Sequence, residues 1–313
     1  MYNNNNLFLV DTYKWKKRPI RLVINCIKAI KSYDNVVILP AHNGVKIFVP
    51  MFAFLNKIYK KNIIYVVVGG WLADLIHNNK ILICLLKKIN YILVETNGLK
   101  KKLNNLKIDN VKVMLNFKDI NVLTKNEISF SYKEHYKLCT FSRVMEKKGI
   151  SDAINAIACI NEQYQKTIYK LDIYGPIEEN YKEKFNILLN KYKKYVTYKG
   201  VVESSKSVEV IRKYDLLLFP TRFKTEGLPG TTIDAFSSGI PTVYSSWDYC
   251  DEFYKDKYNG IKFEMGNIEN LKKILDNFYN RKYDVNKMKR NCIESAKKYD
   301  SSNAIRILID CLR

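Results

Sequence analysis

The amino-acid sequence predicts an α/β protein with two domains, each built on a parallel sheet. Apolar, β-branched runs typical of buried parallel strands alternate with amphipathic helical segments along most of the chain. The run at 216–219 ends at Pro220 and is followed by a glycine-containing loop, a helix and a further strand, which together form a βαβ unit. The 313 residues are enough for two domains, and a polar segment without periodicity, 118–137, is interpreted as the linker between them.

In the first domain, residues 1–117, the predicted strands and helices alternate. Strands are predicted at 7–11, 35–39, 63–68, 91–94 and 111–115, and helices at 20–32, 50–61, 79–89 and 99–106. Pro50 is assigned to the start of the second helix, where its missing N–H has no helical partner to lose. These segments predict a doubly wound α/β domain.

The second domain, residues 138–298, repeats the alternation. Strands are predicted at 138–142, 170–174, 196–198, 216–219, 240–244 and 260–263. Helices are predicted at 151–164, 179–194, 205–213, 231–238, 267–278 and 284–298, and a last one lies within 299–313.

The loop after the strand at 216–219 carries residues suited to binding a ligand. The amides of Gly230, Thr231 and Thr232 are predicted at a helix N-terminus, where unpaired N–H groups and the helix dipole attract an anion. Glu226 and Asp234 flank this position, and carboxylates accept hydrogen bonds from pairs of hydroxyls such as those of a sugar. An anion beside diols describes a nucleotide sugar. The alternative is an ordinary βαβ turn with two solvated acids.

The stretch EGLPGTTIDAFSSGIP, which starts at Glu226, resembles the E-x7-E signature of family 4 retaining glycosyltransferases. That family has the GT-B fold, with two Rossmann-like domains facing a cleft. The resemblance implies that Glu226 faces the donor sugar and that Asp234, which replaces the usual second Glu, faces the ribose. It also implies donor contacts from Gly227, Leu228, Gly230, Thr231 and Thr232, and from Val201, in the segment where the family contacts the nucleobase.

A second segment, SRVMEKKG at 142–149, is similar to the family's G-R-x4-K-G motif, with Ser142 in place of the first glycine. By this resemblance Arg143 and Lys148 neutralise the donor diphosphate. The chain contains no D-x-D motif, so neither a bound metal nor another cofactor is expected, and two fixed cations with helix-end amides can hold the charge. The alternative is a solvated run of charge, since Lys147 adjoins Lys148.

The first half departs more from the family's layout. Family members open with a strand, a glycine-rich loop and a helix, and we expect this domain to lack that first βα unit. His42, Gly70 and Trp71 are the expected acceptor-side residues. The segment 299–313 is expected to be a helix that crosses back onto the first domain, as in GT-B proteins.

The charge is positive and unevenly distributed. The net charge is +22, and residues 1–130 contain 21 Lys and Arg against 7 Asp and Glu. This predicts contact with an anionic membrane surface, with nucleic acid or general solubility as alternatives. No nucleic-acid-binding module is recognisable, and the aromatic residues do not form a stacking series, so no nucleic-acid partner is expected. The helix at 50–61 is interpreted either as lying on the membrane or as packing on the sheet.

The seven cysteines form no C-x-x-C pair, the N-terminus does not resemble a signal peptide and no apolar run is long enough to span a bilayer. We therefore expect a cytoplasmic protein, peripheral at the inner face of the membrane.

The expected activity is that of a metal-independent, hexosyltransferase-type retaining glycosyltransferase. The expected donor is a nucleoside-diphosphate sugar with uridine as the base. The expected acceptor is a saccharide linked to polyprenyl diphosphate, as in capsule or exopolysaccharide assembly. Two alternatives stay open: a nucleotide-binding but inactive truncated relative, and a GT-B sugar-nucleotide epimerase. The epimerase would need a base in the interdomain cleft that the sequence does not identify.

Overall fold

The computed structural model describes residues 7–12, 19–120 and 130–312. As far as they are described, the residues form two compact units, one comprising Met1–Met114 and Ile305–Arg313 and the other Leu115–Ala304. Each unit has its own parallel sheet.

The first unit contains a four-stranded parallel sheet in the order β1-β2-β3-β4. Its strands are β1 (Asn35–Ile38), β2 (Asn62–Val66), β3 (Tyr91–Val94) and β4 (Val111–Val113). Its helices are α1 (Pro19–Ser32), α2 (Val45–Tyr59), α3 (Leu72–Ile76), α4 (Lys80–Leu86) and α5 (Asn97–Asn105). Consecutive residues of β2, Ile63, Ile64 and Tyr65, are all fully buried, so this strand is covered on both faces.

The described strands of this unit follow one another across the sheet in sequence order. One expectation for this unit is wrong, because the segment 7–12 forms no strand. Leu7 and Leu9 are both 82% exposed, so this segment does not gain the burial that stabilises a strand on a sheet edge.

The helix predicted to begin at Pro50 begins at Val45, and Pro50 lies inside it. The apolar stripe explains the longer helix, because Val45, Phe48 and Val49 are buried together with Phe52 one turn later. Burial of this stripe outweighs the helical hydrogen bond that a proline cannot donate. The short helix α3 was not predicted.

The second unit contains a six-stranded parallel sheet in the order β10-β9-β8-β5-β6-β7. Its strands are β5 (Tyr136–Phe141), β6 (Tyr169–Tyr174), β7 (Val196–Gly200), β8 (Leu216–Phe219), β9 (Thr242–Ser245) and β10 (Gly260–Phe263). Its helices are α6 (Ile150–Gln163), α7 (Lys182–Lys191), α8 (Ser207–Ile211), α9 (Gly230–Ser237), α10 (Ile268–Tyr279) and α11 (Val285–Ala296). The winding reverses between β5 and β8, which places the expected ligand crevice at the carboxyl ends of these two strands.

Residues 130–137, predicted as part of the linker, belong to the second unit. The Phe130 ring packs on Tyr136 and Phe278, and Lys133 forms an ion pair with Asp215 at 2.6 Å. Packing of these aromatic rings holds the segment against the core of the second unit, and β5 begins within it, at Tyr136. The middle of the predicted linker, 121–129, lies outside the described residues.

The last helix, α12 (Ser301–Ile309), begins within the second unit, and the residues from Ile305 onward belong to the first. In the first unit, the Asn62 side-chain amide donates to the Cys311 carbonyl at 2.6 Å. In the described part of the chain, no helix combines the length and apolarity needed to cross a membrane.

Candidate functional site

The loops after β5 and β8 are in direct backbone contact at the reversal of winding. A Cβ at Gly149 would lie 1.8 Å from the Pro220 carbonyl oxygen, so only glycine allows this approach. The Arg222 N–H donates to the Lys147 carbonyl at 2.8 Å. These contacts hold the loop that contains Lys148 against the loop that leads to Glu226.

The structure brings the predicted Lys148 and Glu226 together. The Lys148 ammonium lies 2.5 Å from Glu226 Oε2, and the Thr221 hydroxyl donates to the same oxygen at 3.1 Å. The ammonium also lies over the rings of Phe219 and Phe223, at 5.3 and 5.2 Å from their centroids. Glu226 Oε1 has no hydrogen-bond partner among the described residues, which leaves it available to accept one from a ligand.

Arg143 follows β5 and is exposed. Within the described ranges it forms no ion pair, unlike Lys148. A guanidinium of this kind can bind an oxyanion without first giving up another partner.

The helix α9 begins at Gly230, and its N-terminal amides have no side-chain cap among the described residues. Gly227 and Leu228, just before it, are buried, and the Leu228 carbonyl accepts a hydrogen bond from the Asn116 side chain at 3.0 Å. The Thr232 N–H, which was expected to be unpaired, donates to the Pro229 carbonyl and tightens the first turn. The N–H groups of Gly230 and Thr231 have no hydrogen-bond partner among the described residues, and they lie at the positive end of the helix dipole.

Asp234 is bound to a lysine that the sequence did not single out. Both carboxylate oxygens accept hydrogen bonds from the Lys118 ammonium, at 2.5 and 2.6 Å, and the Asp234 side chain is 3% exposed. Burial raises the pKa of Asp234, and the Lys118 charge opposes that rise. No motif links two residues 116 positions apart, so the sequence contained no signal for this pair.

A second ion pair that the sequence did not predict joins the β8–α9 loop to α6. The Arg222 guanidinium donates to both oxygens of Asp152, at 2.8 and 2.6 Å. Asp152 lies in the first turn of α6 and is buried. This bidentate contact fixes the loop that carries Glu226.

The predicted donor residue Val201 comes directly after Gly200, whose carbonyl accepts a hydrogen bond from the Gly175 N–H at 2.9 Å. It follows β7, the edge strand beyond β6, and is 66% exposed. The described residues contain no group of His, Cys, Asp and Glu side chains that could hold a metal ion.

In the first unit, two of the predicted acceptor-side residues are in contact. The His42 and Trp71 rings lie 5.2 Å apart, in the loops that follow β1 and β2. Gly70 is buried beside Trp71, whose indole N–H donates to the Val68 carbonyl at 2.8 Å. Glu95, after β3, accepts a hydrogen bond from the Gly69 N–H at 3.1 Å, a contact that the sequence did not predict.

Residues 121–299, more than half of the chain, match the model of the family described as "Glycosyl transferases group 1". The chain belongs to this glycosyltransferase family. The matched segment contains Arg143, Lys148, Glu226 and Asp234. An uncharacterized glycosyltransferase of Methanocaldococcus jannaschii is 23% identical over 201 residues, which cover 60% of this chain and 48% of that protein. The match thus spans about half the length of this relative.

Solved structures of similar fold cover nearly the whole chain. Anabaena HepE in complex with UDP is 15% identical, with a TM-score of 0.76 over 93% of this chain and 81% of that one. The lipopolysaccharide outer core galactosyltransferase WaaB is 16% identical, with a TM-score of 0.69 over 94% and 81%. The chain therefore has the predicted α/β fold, with two Rossmann-like parallel-sheet units shared with GT-B proteins.

Proposed function

We propose that this glycosyltransferase transfers a sugar, with retention of anomeric configuration, from a uridine-diphosphate sugar to a saccharide acceptor. The observation that carries the proposal is the Lys148–Glu226 pair at the reversal of winding, in the second unit. In this proposal Lys148 is the cation for the phosphate and Glu226 is the carboxylate for the sugar hydroxyls, as the family 4 signature implies. The solved complex of HepE with UDP, on the same fold, supports the uridine nucleotide.

The proposed reaction proceeds by loss of the diphosphate from the donor sugar. Negative charge grows on the leaving phosphate, and Arg143, Lys148 and the α9 amides stabilise it without a metal ion. Glu226 Oε1 accepts hydrogen bonds from the sugar hydroxyls, while Oε2 keeps its bonds to Lys148 and Thr221. Lys148 then contacts both the leaving diphosphate and Glu226, which orients the sugar. The same side chain therefore helps to position the donor and to stabilise the charge of the leaving group.

The acceptor in this proposal is a saccharide linked to polyprenyl diphosphate, in surface polysaccharide synthesis of the capsular type. The positive charge of residues 1–130 supports a site at an anionic membrane, on the cytoplasmic face where nucleotide sugars are available. Similarity of fold to a lipopolysaccharide galactosyltransferase is consistent with a carbohydrate acceptor. His42, Gly70 and Trp71 are the proposed acceptor-side residues.

A ligand screen followed by product analysis tests the function. We expect UDP to raise the thermal midpoint more than GDP, dTDP or ADP, because binding to the native state stabilises it. The protein should then transfer sugar from a UDP-sugar, with the anomeric configuration of the product read by NMR coupling constants. If none of the four nucleotides raises the midpoint, the proposal is wrong.

The two alternative functions give different outcomes. Binding of UDP without transfer or hydrolysis of any UDP-sugar identifies an inactive relative. Conversion of a UDP-sugar to its epimer in the absence of acceptor identifies an epimerase.

A further inference from the structure

Lys118 is fixed by its backbone as well as by its side chain. Its N–H donates to the Tyr299 carbonyl at 3.1 Å, and its carbonyl accepts from the Ser301 N–H at 3.1 Å. Two residues earlier, Asn116 donates to the Leu228 carbonyl in the loop before α9. The segment that carries Lys118 is therefore attached to the loop of the candidate donor site.

The Lys118 side chain lies at the first residue of α9. The position of a Cβ on Gly230 is 3.6 Å from Lys118 Cε and 4.0 Å from Nζ. A cation at a helix N-terminus is repelled by the helix dipole. Asp234 offsets that repulsion, and a bound anion would offset it further.

The first turn of α9 also contains an unsatisfied polar group. The Thr231 hydroxyl is buried and has no hydrogen-bond partner among the described residues. Buried polar atoms are normally hydrogen-bonded, so this turn lacks a partner that a ligand could supply.

The two acids of the E-x7-E-like signature each hold one lysine. Glu226 pairs with Lys148, and Asp234 pairs with Lys118. The contacts differ in one respect, because Glu226 keeps an oxygen without a described partner whereas both Asp234 oxygens are bound to Lys118. A ribose hydroxyl could bind Asp234 only at the lone pairs that the Lys118 ammonium leaves, on a carboxylate whose side chain is 3% exposed.

We propose that Lys118 is a third cation for the donor diphosphate and that Asp234 is a positioning residue, which holds the Lys118 ammonium at the N-terminus of α9. This inference rests on the proposed function. It replaces the predicted contact of Asp234 with the ribose by an indirect role through Lys118.

The test measures how a neutral side chain at Lys118 affects ligands that differ only in phosphate number. Lys118→Met should lower the affinity for UDP about tenfold or more, the affinity for UMP less, and that for uridine hardly at all. Calorimetric titration, with uridine and UMP measured by displacement of UDP, gives the three affinities. If GDP, dTDP or ADP is the better ligand, its own nucleoside series is used.

The matched control is Lys133→Met. Lys133 also pairs with a buried aspartate, Asp215, but next to the amino ends of β5 and β8, away from the candidate site. Lys133→Met should lower the thermal midpoint of unfolding, as Lys118→Met does, and should leave the UDP affinity unchanged.

A double variant separates ligand binding from folding. Lys118→Met leaves the buried Asp234 charge without its ion-pair partner, so Lys118→Met with Asp234→Asn removes both charges and should recover stability. It should not recover UDP affinity, whereas Lys118→Arg, which keeps the charge, should retain most of it. In the Lys118→Met background, adding Asp234→Asn should have no further effect on UDP affinity.

Three outcomes would overturn the inference. The first is an unchanged UDP affinity in Lys118→Met, and the second is an equal loss of uridine and UDP affinity. The third is a loss of uridine affinity on adding Asp234→Asn to Lys118→Met, which would return Asp234 to the ribose. If the wild-type protein binds no nucleoside diphosphate, the proposed function itself is wrong. Nucleotide binding by the wild type is therefore measured before any variant is compared.

Discussion

Glu226 has one carboxylate oxygen bound by two protein donors and one without a described partner. Glu226→Gln keeps the shape of the side chain and removes its charge. We expect turnover to fall, because the sugar hydroxyls lose a charged acceptor. The affinity for free UDP should stay within a few fold of wild type, because UDP contains no donor sugar. Initial rates and UDP titrations measure the two effects, and a loss of UDP affinity at unchanged turnover would contradict the assignment.

Arg143 provides a test of the phosphate contact that is independent of folding. Arg143→Ala should cost about 2–4 kcal/mol of transition-state stabilisation, as loss of an oxyanion donor does. The thermal midpoint should hardly change, because Arg143 is exposed and forms no ion pair within the described ranges. Lys147→Ala, at a neighbouring exposed cation, is the control and should keep near-wild-type rates. Activity of Arg143→Ala close to that of the control would remove Arg143 from the site.

The sequence predicted Lys148 and Glu226 as site residues but not the bond between them. They lie 78 positions apart, and only the reversal of strand order brings their loops together. Lys118 has no local signal at all, because it stands in a polar segment and its ion-pair partner lies on α9. Short motifs therefore identify candidate site residues, whereas the pairing of those residues depends on sheet topology.

Among the elements, the loop between β8 and α9 is held in place by the ion pair between its Arg222 and Asp152 on α6. Arg222→Ala would leave the buried Asp152 carboxylate without its bidentate partner, and we expect a loss of about 1–3 kcal/mol of unfolding free energy. Turnover should fall as well, because the loop carries Glu226. Lys184→Ala, which breaks the exposed pair with Glu146, should change stability by less than about 0.5 kcal/mol. Chemical denaturation measures the unfolding free energy of both variants. Equal losses would show that the Arg222–Asp152 bond stabilises the protein no more than the exposed Lys184–Glu146 pair does.

The helix α2 contains a proline where regular hydrogen bonding would continue. Pro50→Ala should stabilise the protein by roughly 2 kcal/mol. The substitution removes the cost of a proline inside a helix, and part of that gain is lost because the unfolded chain has more conformational entropy with alanine. Pro19→Ala is the control, because Pro19 is the first residue of α1, where a proline suits the helix. Thermal unfolding measures both variants. A destabilised Pro50→Ala would mean that the proline ring contributes more by packing than its missing hydrogen bond costs.

Element type was more predictable than element ends or strand order. Apolar runs such as 63–68 and 216–219 correspond to β2 and β8, because burial on both faces requires an uninterrupted apolar sequence. Pro50 does not mark the start of α2, because the apolar stripe of the helix continues before it, to Val45. The strand order of the first unit has no local signal in the sequence either, because order depends on contacts between distant segments.

For the whole molecule, the excess of positive charge in residues 1–130 coincides with exposed apolar side chains on α2. One side of this helix packs in the core through Phe48, Val49 and Phe52. On its other residues, Phe54 and Ile58 are each 64% exposed, next to Lys57. The two interpretations of this helix, packing on the sheet and lying on a membrane, are therefore compatible, because different side chains serve each.

We accordingly expect the protein to bind anionic vesicles through the first unit. Binding to vesicles that contain phosphatidylglycerol should exceed binding to phosphatidylcholine and weaken as salt is raised, because exposed charges are screened over ~8 Å at physiological ionic strength. Replacing Phe54 and Ile58 by Ser should weaken binding at constant net charge. Ile187→Ser, at a 61% exposed position on α7 in the second unit, is the matched control and should bind like wild type. Vesicle sedimentation measures all three proteins. Equal binding to neutral and anionic vesicles would show that the positive charge of residues 1–130 does not drive membrane binding. Tight, sequence-selective binding to DNA would favour the nucleic-acid alternative instead.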